Sequence, residues 1–297
     1  MVDFAQDGAR SVWRAALSGP HGEIVLSTYE TADELEIWLT DIDGFYGGVG
    51  VESSDIQRKL GHGVLSVPAR RSGRTLTLKG TIVAPGMSAR DLSARFTSSL
   101  LWDGALGNLT VSSDWGELSC AVRIDGAVKT ELLGDVGLHF EVPLLAPEPW
   151  LYGPEFTTQI FPAGQGTGLR YPLFAQKPKP EGTLHFGDHA LPSSVALAHE
   201  GNATAYPTYV VQGEWDSGFR LVNSGRVIEY PYQVHSAAPV TVDCHKGAIY
   251  IGGFDMSYLL ARREWHSVPA RSGFQPRVES LAPSTGWVDV HLRDTYI

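Results

Sequence analysis

Residues 74–84, RTLTLKGTIVA, alternate apolar and polar side chains and decide the fold class. A period of two places every second side chain on one face of a strand. The residues that share this face are Leu76, Leu78, Gly80 and Ile82. Glycine in the middle of such a face predicts a bulge or a close approach of another backbone. We therefore expect the core of this chain to be built on β-sheet.

A single helix is predicted directly after this strand. Pro85 interrupts the alternation, and Ser88 followed three residues later by Asp91 resembles a capping box. Apolar residues then recur every four positions, at Leu92, Phe96 and Leu100. This spacing predicts an amphipathic helix over about residues 88–102 that packs one face onto a sheet.

Strand patterns dominate the rest of the chain. In the first half they cover residues 23–27, 35–39, 108–113, 116–124 and 137–145, with a hairpin turn expected at Asp125-Gly126. In the second half eight short strands are predicted, at residues 183–186, 193–198, 206–212, 219–222, 227–230, 240–244, 248–251 and 287–293. Glycine and asparagine turns separate them, and residues 162–182 are predicted to be a loop. Eight short strands of this kind indicate a β-sandwich.

A proline-rich junction separates the two halves. Residues 146–154, APEPWLYGP, hold three prolines, which interrupt a central strand. We place a domain boundary here, giving domains 1–150 and 151–297. Trp150 and Tyr152 are the candidates for side chains that pin this domain junction.

Composition narrows the classes of function. The chain has 297 residues and a formal net charge of −10, which disfavours a nucleic-acid-binding surface and a basic membrane face. No run of 18 apolar residues occurs, and the first residues lack the pattern of a signal peptide. Cys120 and Cys244 are therefore expected to stay reduced.

Signatures of catalysis and metal binding are weak. Histidines at 185 and 189 (HFGDH), Cys244-His245, and Asp41 with Asp43 each resemble part of a metal site, but each lacks further ligands. A structural interpretation is favoured for all three. We predict no catalytic residue, no metal site and no cofactor, and leave ligand-binding residues unassigned.

The tryptophans and tyrosines give a further hint. Trp38, Trp115 and Trp287 lie in strand-like stretches and are predicted to face the cores. Trp215 and Tyr258 lie near turns, where exposure to a ligand and a contact between domains are both open.

Four stretches, in this order, carry a resemblance to a known family. They are GHG at 61–63 leading into the strand at 74–84, FEVPLLAPEPW at 140–150, GNATAYP at 201–207, and WVDVHLRDTYI at 287–297. Their order resembles that of the distal tail proteins of siphophages, in particular the actinobacterial phage type. Each stretch is a turn beside a strand, so the order carries the resemblance.

The resemblance implies a structural virion component and a baseplate hub, with no enzyme activity. A ring-forming, tail-tube-like first domain, a split β-barrel with one helix, would be followed by a galectin-like β-sandwich. Six copies would form a ring at the phage tail tip that lets DNA pass. The implied partners are the tail tube protein, the tape measure protein and downstream baseplate or fibre proteins. Such a protein would be synthesised in the host cytoplasm.

One long loop is a candidate for contact between subunits. Residues 43–63 are too many for a simple connection, so we expect an arm that reaches a neighbouring subunit. Its candidate contact residues are Phe45, Tyr46, Val49 and Val51. A mobile surface loop is the rival interpretation. Two other functions stay open: a carbohydrate-binding adhesin, which needs an exposed aromatic platform, and a glycan hydrolase, which needs two facing carboxylates.

Overall fold

The computed structural model of this chain describes residues 12–27, 36–163 and 191–297. The chain divides into two compact units, Met1–Pro154 with Tyr296–Ile297, and Glu155–Thr295. Within the described residues the fold is mainly β with one α-helix, as predicted. The strand predicted at 183–186, with His185 and His189, and nearly all of the loop at 162–182 lie outside the described residues.

Twelve strands and the helix belong to the first unit. They are β1 Val12–Gly19, β2 Gly22–Ser27, β3 Glu36–Asp43, β4 Val51–Glu52, β5 Ile56–Gln57, β6 Val64–Leu65, β7 Arg70–Arg71, β8 Arg74–Val83, α1 Ala89–Ser99, β9 Gly107–Ser113, β10 Gly116–Ile124, β11 Lys129–Leu133 and β12 Gly137–Ala146. The next strand, β13 Leu151–Ile160, runs from the first unit into the second.

Seven of these strands close into a barrel. Their order is β12-β8-β3-β2-β1-β9-β10, and β10 pairs back to β12 through Arg123 and Ile124. β2 and β3 are parallel and the other neighbours are antiparallel. Aliphatic side chains of the strands fill the interior, among them Leu17, Leu26 and Leu78.

The strand that decided the fold class behaves as predicted at its glycine. A Cβ on Gly80 would lie 2.4 Å from the ring of Phe140 and 2.5 Å from the backbone oxygen of Trp38. The register of β3 shifts opposite this residue, between Leu39 and Asp41, so a bulge and a close approach occur together.

Helix α1 covers one part of the barrel. Ser88 caps it, since its hydroxyl accepts the Asp91 amide at 3.2 Å. Leu92 and Phe96 are buried in the core of the unit, as the four-residue spacing predicted. The Phe96 and Phe140 rings pack at a centroid distance of 4.6 Å.

The two ends of the barrel differ. The exit from β3, the entry into β8 and the β9–β10 turn lie at one end, as the pairs Asp43↔Thr77 and Val12↔Ser113 indicate. The β1–β2 turn and the β11–β12 turn lie at the other end. β11 pairs with β12 outside the ring of seven strands.

The link between β10 and β11 differs from the sequence prediction. Asp125-Gly126 does not form a hairpin, because β10 and β11 both pair with β12 and not with each other. The Asp125 amide instead donates to the Pro143 carbonyl at 3.0 Å. Pro154 lies inside β13, where the proline rule predicted a break.

The second unit is a β-sandwich. Its further strands are β14 Leu197–His199, β15 Thr208–Gln212, β16 Phe219–Asn223, β17 Arg226–Tyr230, β18 Val240–Asp243, β19 Ala248–Ile251, β20 Phe254–Asp255, β21 Arg262–Arg263, β22 Ser272–Phe274, β23 Arg277–Ser280 and β24 Trp287–Tyr296. One sheet has the order β13-β24-β15-β18-β19-β20 and the facing sheet the order β21-β17-β16-β23. A 3₁₀ turn lies at Ser257–Leu259.

Between the two sheets lies a second core. Tyr209, Val211 and Val290 from one sheet meet Leu221 and Ile228 from the other. Trp215 also belongs to this core and is 0% exposed, so the exposure that the sequence left open for it does not occur. Its ring nitrogen donates to the Gln212 carbonyl at 2.8 Å, which satisfies the polar atom in the interior. No helix among the described residues is long and apolar enough to span a bilayer.

Candidate subunit interface

An exposed β-hairpin, residues 51–71, leaves the barrel between β3 and β8, and we call it the arm. β4 pairs with β7 near the barrel and β5 pairs with β6 further out. At the tip, the Arg58 amide donates to the Gly63 carbonyl at 3.3 Å. Between the two ladders, the Val67 amide donates to the Asp55 carboxylate at 3.0 Å. The hairpin is longer than the predicted loop, which ended at residue 63.

The arm has no core of its own. Every residue from 51 to 71 is exposed. Six of its apolar side chains face solvent: Val51 at 62%, Ile56 at 60%, Leu60 at 93%, Val64 at 47%, Leu65 at 52% and Val67 at 39%. A two-stranded hairpin is marginal in water, and a cluster of exposed aliphatic groups marks a contact surface. The arm therefore has the composition of a segment that another surface covers.

The arm is also locally basic. It carries four cationic side chains, at Arg58, Lys59, Arg70 and Arg71, and two carboxylates, at Glu52 and Asp55. In the part of the chain that the structure describes, no ion pair involves any of the four cations. Their charge is thus available to an acidic partner surface.

A buried arginine fixes the base of the arm. Arg74 is 2% exposed, and its Nη1 donates to the carbonyls of Gly44, Phe45 and Gly47 at 3.0, 2.8 and 2.6 Å. Its Nε and Nη2 both donate to the Pro149 carbonyl at 3.2 Å. Burial lowers the pKa of this guanidinium. One side chain thus holds the loop that leads into the arm against the segment that leads into β13.

The four predicted contact residues have different surroundings. Phe45 is 0% exposed and belongs to the barrel core, so it anchors the loop and is not accessible to a neighbour. Val49 is half-buried, whereas Tyr46 and Val51 are exposed. Gly44 before them has a φ of +80°, and a Cβ there would meet the Thr75 carbonyl at 2.2 Å. The loop base is therefore rigid and the arm begins beyond it.

Trp115 is exposed, and its predicted place in the core was wrong. The last pair of the β9–β10 ladder is Ser113 with Gly116, so Trp115 falls in the turn, outside the alternation. Its side chain is 79% exposed and meets the Tyr46 ring edge-on at a centroid distance of 6.1 Å. Trp38 and Trp287 are half-buried. An exposed aromatic pair therefore lies at the same end of the barrel as the arm.

A different apolar surface lies at the opposite end, and we call β11 together with the turn at residues 134–136 the edge hairpin. Leu132, Leu133 and Val136 are exposed at 56%, 46% and 38%. Glu131 and Asp135 are exposed and have no ion-pair partner among the described residues. Only β12 pairs with β11 in that part of the chain, so the outer edge of β11 keeps its backbone groups unpaired.

A shallow groove leads to this edge. It has a volume of about 480 Å³ and crosses the outer face of β3, β8, β12 and β11. Two of its lysines are already paired, Lys79 with Asp41 at 3.8 Å and Lys129 with Glu141 at 3.0 Å.

The two candidates for the domain junction lie at the end of the first unit. Trp150 and Tyr152 are half-buried, and the Tyr152 hydroxyl donates to the Glu148 carboxylate at 2.7 Å. The Ser119 hydroxyl donates to the Tyr152 carbonyl at 3.4 Å, where β10 meets β13. Their role at a domain junction stays a prediction.

Two of the residues that resembled metal ligands, Cys244 and His245, have surroundings that suit another role. Burial raises the pKa of the Cys244 thiol to about 12, so it is protonated at neutral pH. His245 packs its ring against Tyr206 at a centroid distance of 5.1 Å. Nowhere in residues 12–27, 36–163 and 191–297 do three or more histidine, cysteine or acidic side chains converge as a metal site would need.

Among the described residues, the carboxyl groups with a shifted pKa are all shifted downward. Hydrogen bonds are the largest cause of the lowered pKa at Glu141, Glu214, Asp255 and Glu264. Burial opposes the lowering at Glu155, where the hydrogen bond from His291 and the charge of Arg293 outweigh it. The general acid of a glycoside hydrolase needs the opposite shift. These five groups are therefore poorly suited to that role.

The second unit exposes a separate group of aromatic rings. Tyr232, Phe254 and Tyr258 are 51%, 72% and 70% exposed. Tyr230 is buried and contacts Tyr232 edge-on at a centroid distance of 5.7 Å. Burial, together with the nearby hydroxyls of Tyr232 and Tyr258, raises the pKa of Tyr230. The exposure of Tyr258 is one of the two outcomes left open by the sequence.

Sequence reasoning missed several residues of these surfaces. The aliphatic residues of the arm and the edge hairpin were not identified, because short strands of two to five residues give almost no periodic signal. Ile56 and Val64-Leu65 on either side of GHG at 61–63 were the available signal, since apolar pairs flanking a glycine turn indicate a hairpin.

Comparison with solved structures finds similarity to phage hub and baseplate proteins. The Dit (gp 19.1) protein of phage SPP1, described as a paradigm of the hub adsorption apparatus in phages that infect Gram-positive bacteria, has a TM-score of 0.54 and 14% identity, over 88% of this chain and 94% of that chain. The phage P2 baseplate in its activated conformation gives TM-scores of 0.48 with both Ca and Sr, at 8% and 9% identity, over 94% of this chain and 97% of that chain.

At 14% identity the likeness to SPP1 Dit establishes a shared fold. The resemblance to distal tail proteins read from the order of sequence motifs is confirmed at that level. The sequence matches no protein-family model, and no curated protein matches it by sequence.

Proposed function

We propose that this protein is a structural subunit of a phage tail tip, without enzyme activity. The observation that carries the proposal is the likeness in fold to a hub protein over 88% of this chain and 94% of that chain. Both units take part in the match, so the proposal concerns the whole molecule and not one widespread domain. In this role the chain joins the tail tube to baseplate or fibre proteins.

A closed ring, with six copies as the expected number, is the assembly we propose. A ring needs a head-to-tail contact between two different surfaces of the same chain. The arm supplies one such surface, with six exposed aliphatic side chains and four cations that have no ion-pair partner among the residues that the structure describes. Covering them would remove apolar area from water, which favours association by roughly 25 cal/mol per Å² before its costs.

The remaining parts of the proposal concern partners and place. The ring would sit at the tail tip of the virion, in contact with the tail tube protein, the tape measure protein and downstream proteins. Its bore would pass DNA, and a net charge of −10 suits a channel that must not retain a polyanion. Two buried free thiols suit synthesis in the reducing host cytoplasm.

The test is the mass of the assembly. We expect native mass spectrometry and negative-stain microscopy of the full chain, alone and co-expressed with the tail tube protein of its phage, to reveal rings of six. A species that stays monomeric at high concentration in both preparations overturns the proposal.

One observation favours a second candidate function, saccharide binding by the second unit. Tyr232 and Tyr258 are exposed beside a buried tyrosine, and aromatic faces of this kind stack on sugar rings. Titration calorimetry of the full chain with cell-wall glycans of the host tests it. Heat that disappears in the double variant Tyr232→Ala/Tyr258→Ala, and persists in the control Tyr46→Ala, supports it; no heat with the unaltered chain contradicts it.

A further inference from the structure

The arm and the edge hairpin have opposite chemistry and lie at opposite ends of the barrel. The arm is aliphatic and basic, while the edge hairpin is aliphatic and acidic. We propose that the arm of one copy docks on the edge hairpin of the next copy. This inference rests on the proposed ring and names the surface that completes its contact.

Position on the barrel bears on the choice of acceptor. Tyr46 and Trp115 lie at the arm's own end of the barrel. The arm and the edge hairpin are two different surfaces at opposite ends, so a contact between them is head-to-tail and repeats from copy to copy.

Charge supports the same choice. Arg58 and Lys59 at the arm tip have no ion-pair partner in the described part of the chain, and neither do Glu131 and Asp135 on the edge hairpin. Opposite charges that are both unpaired in the free subunit gain from docking without breaking an existing pair. The two lysines near the groove are neutralised by their own partners, Asp41 and Glu141.

Backbone and shape add a further contribution. The outer edge of β11 has no strand partner within the described residues, and an extended segment can pair with its amides and carbonyls as an added strand. Leu132 and Leu133 beside it match the exposed Ile56 and Leu60 of the arm. The groove of about 480 Å³ that leads to this edge gives side chains of the arm a place to enter.

Cysteine cross-linking tests the contact directly. Cys120 and Cys244 are buried, and burial raises the pKa of each to about 12, so only introduced cysteines react. Leu133→Cys is combined in turn with Ile56→Cys, Leu60→Cys or Val64→Cys. Under mild oxidation at least one combination should give a ladder of covalent multimers. The matched control places the same arm cysteines with Trp115→Cys, at the arm's own end, and should give no ladder.

Charge exchange is the second test of the contact. Glu131→Lys/Asp135→Lys should weaken self-association about tenfold, and Arg58→Glu/Lys59→Glu should do the same. Combining all four substitutions should restore association. Asp114→Lys/Glu117→Lys, an equal change of charge beside Trp115, is the control and should leave association unchanged. Circular dichroism and thermal unfolding verify that each variant folds.

The outcomes separate the two proposals. Rings with an arm-to-edge ladder and restored association support the inference. If rings form without such a ladder, and the charge changes do not alter association, this inference is overturned and the proposal of a ring stands. A failure to form rings with or without the tail tube protein overturns the ring and this inference together.

Discussion

The buried guanidinium of Arg74 fixes the backbone of the loop from which the arm leaves the barrel. It donates to four carbonyls, three at the arm base and one at Pro149. Because these carbonyls are turned toward one side chain, its removal leaves buried acceptors without donors. That makes Arg74 a residue on which both the barrel and the arm depend.

Arg74→Met should therefore destabilise the first unit. We expect a loss of about 3 kcal/mol in the free energy of unfolding, because several buried carbonyls lose their donors at once. Denaturant unfolding followed by tryptophan fluorescence measures it. Arg70→Met, an exposed arginine on the arm, is the control and should change stability by less than about 0.5 kcal/mol. Equal effects of the two variants would contradict this account.

His266 gives the second unit a dependence on pH. Its Nε2 faces the Arg226 carbonyl at 3.2 Å, so Nδ1 accepts from the Tyr209 hydroxyl at 2.6 Å. Burial lowers the pKa of His266 to about 4. The unfolded chain takes up a proton near pH 6.5, whereas the folded chain resists it. Stability is thus complete above pH 6.5 and is lost as the pH falls toward 4.

Between pH 6.5 and 5 we expect a loss of roughly 2 kcal/mol, at about 1.4 kcal/mol per pH unit. The carboxyl groups with lowered pKa values stay ionised in this window, so they contribute little to it. Urea unfolding at several pH values measures the slope. His266→Gln should flatten it, and an unchanged slope in this variant would show that other groups cause the dependence.

Single residues were the part of the structure that the sequence predicted least well. Trp115 was expected in the core but is exposed, because it sits in a two-residue turn. Trp215, whose exposure was left open, is buried and forms isolated bridges with Val234 and Ser284. The burial of Arg74 could not be predicted, because in the sequence a buried arginine is indistinguishable from a surface arginine. Its carbonyl partners come together only in the folded chain. Such facts depend on contacts between residues far apart in sequence.

At the scale of elements, the glycine of β8 is the clearest constraint. Gly80→Ala should cost about 2 kcal/mol or more, because the new Cβ overlaps the Phe140 ring and a backbone oxygen. Gly86→Ala is the matched control: its Cβ meets nothing within 4 Å, and its φ is not positive. Thermal unfolding compares the two. A Gly80→Ala variant as stable as Gly86→Ala would contradict the close approach.

The arm should be dispensable for folding. Leu60 is 93% exposed, so Leu60→Ser should leave the free energy of unfolding within about 0.5 kcal/mol while it weakens assembly. Leu78→Ala, in the barrel core at 1% exposure, should cost about 2–5 kcal/mol. Chemical unfolding and light scattering separate stability from association. A large loss of stability with Leu60→Ser would mean that the arm packs on its own barrel.

Elements with a clear period were predicted well. β10 and β19 have the predicted bounds, and β8 and α1 differ from prediction by a few residues at most. The four short strands of the arm and β11 were missed, because two to five residues cannot display a period. The candidate interface was therefore predicted to start at the correct place in the chain. Its length was underestimated, and most of its exposed aliphatic side chains were not identified.

At the scale of the whole molecule, the described residues form two cores that share no residue. Cys120 belongs to the first and Cys244 to the second, and both thiols are buried. Pulsed alkylation in increasing urea, read by mass spectrometry, should report on each unit separately. Gly80→Ala should advance the labelling of Cys120 and leave that of Cys244 unchanged. A joint shift of both thiols would show that the two units unfold as one.

The arm's basic residues also make the free subunit vulnerable. Arg58, Lys59, Arg70 and Arg71 all lie on an exposed hairpin, where a trypsin-like protease can bind the chain in an extended form. A cut there would leave β1 to β3 held in the closed barrel by strand pairing and core packing, without the covalent link to β8. Copies whose arms are covered by a neighbouring subunit would resist digestion. The fraction of the protein that survives the protease would therefore measure the fraction of subunits already assembled.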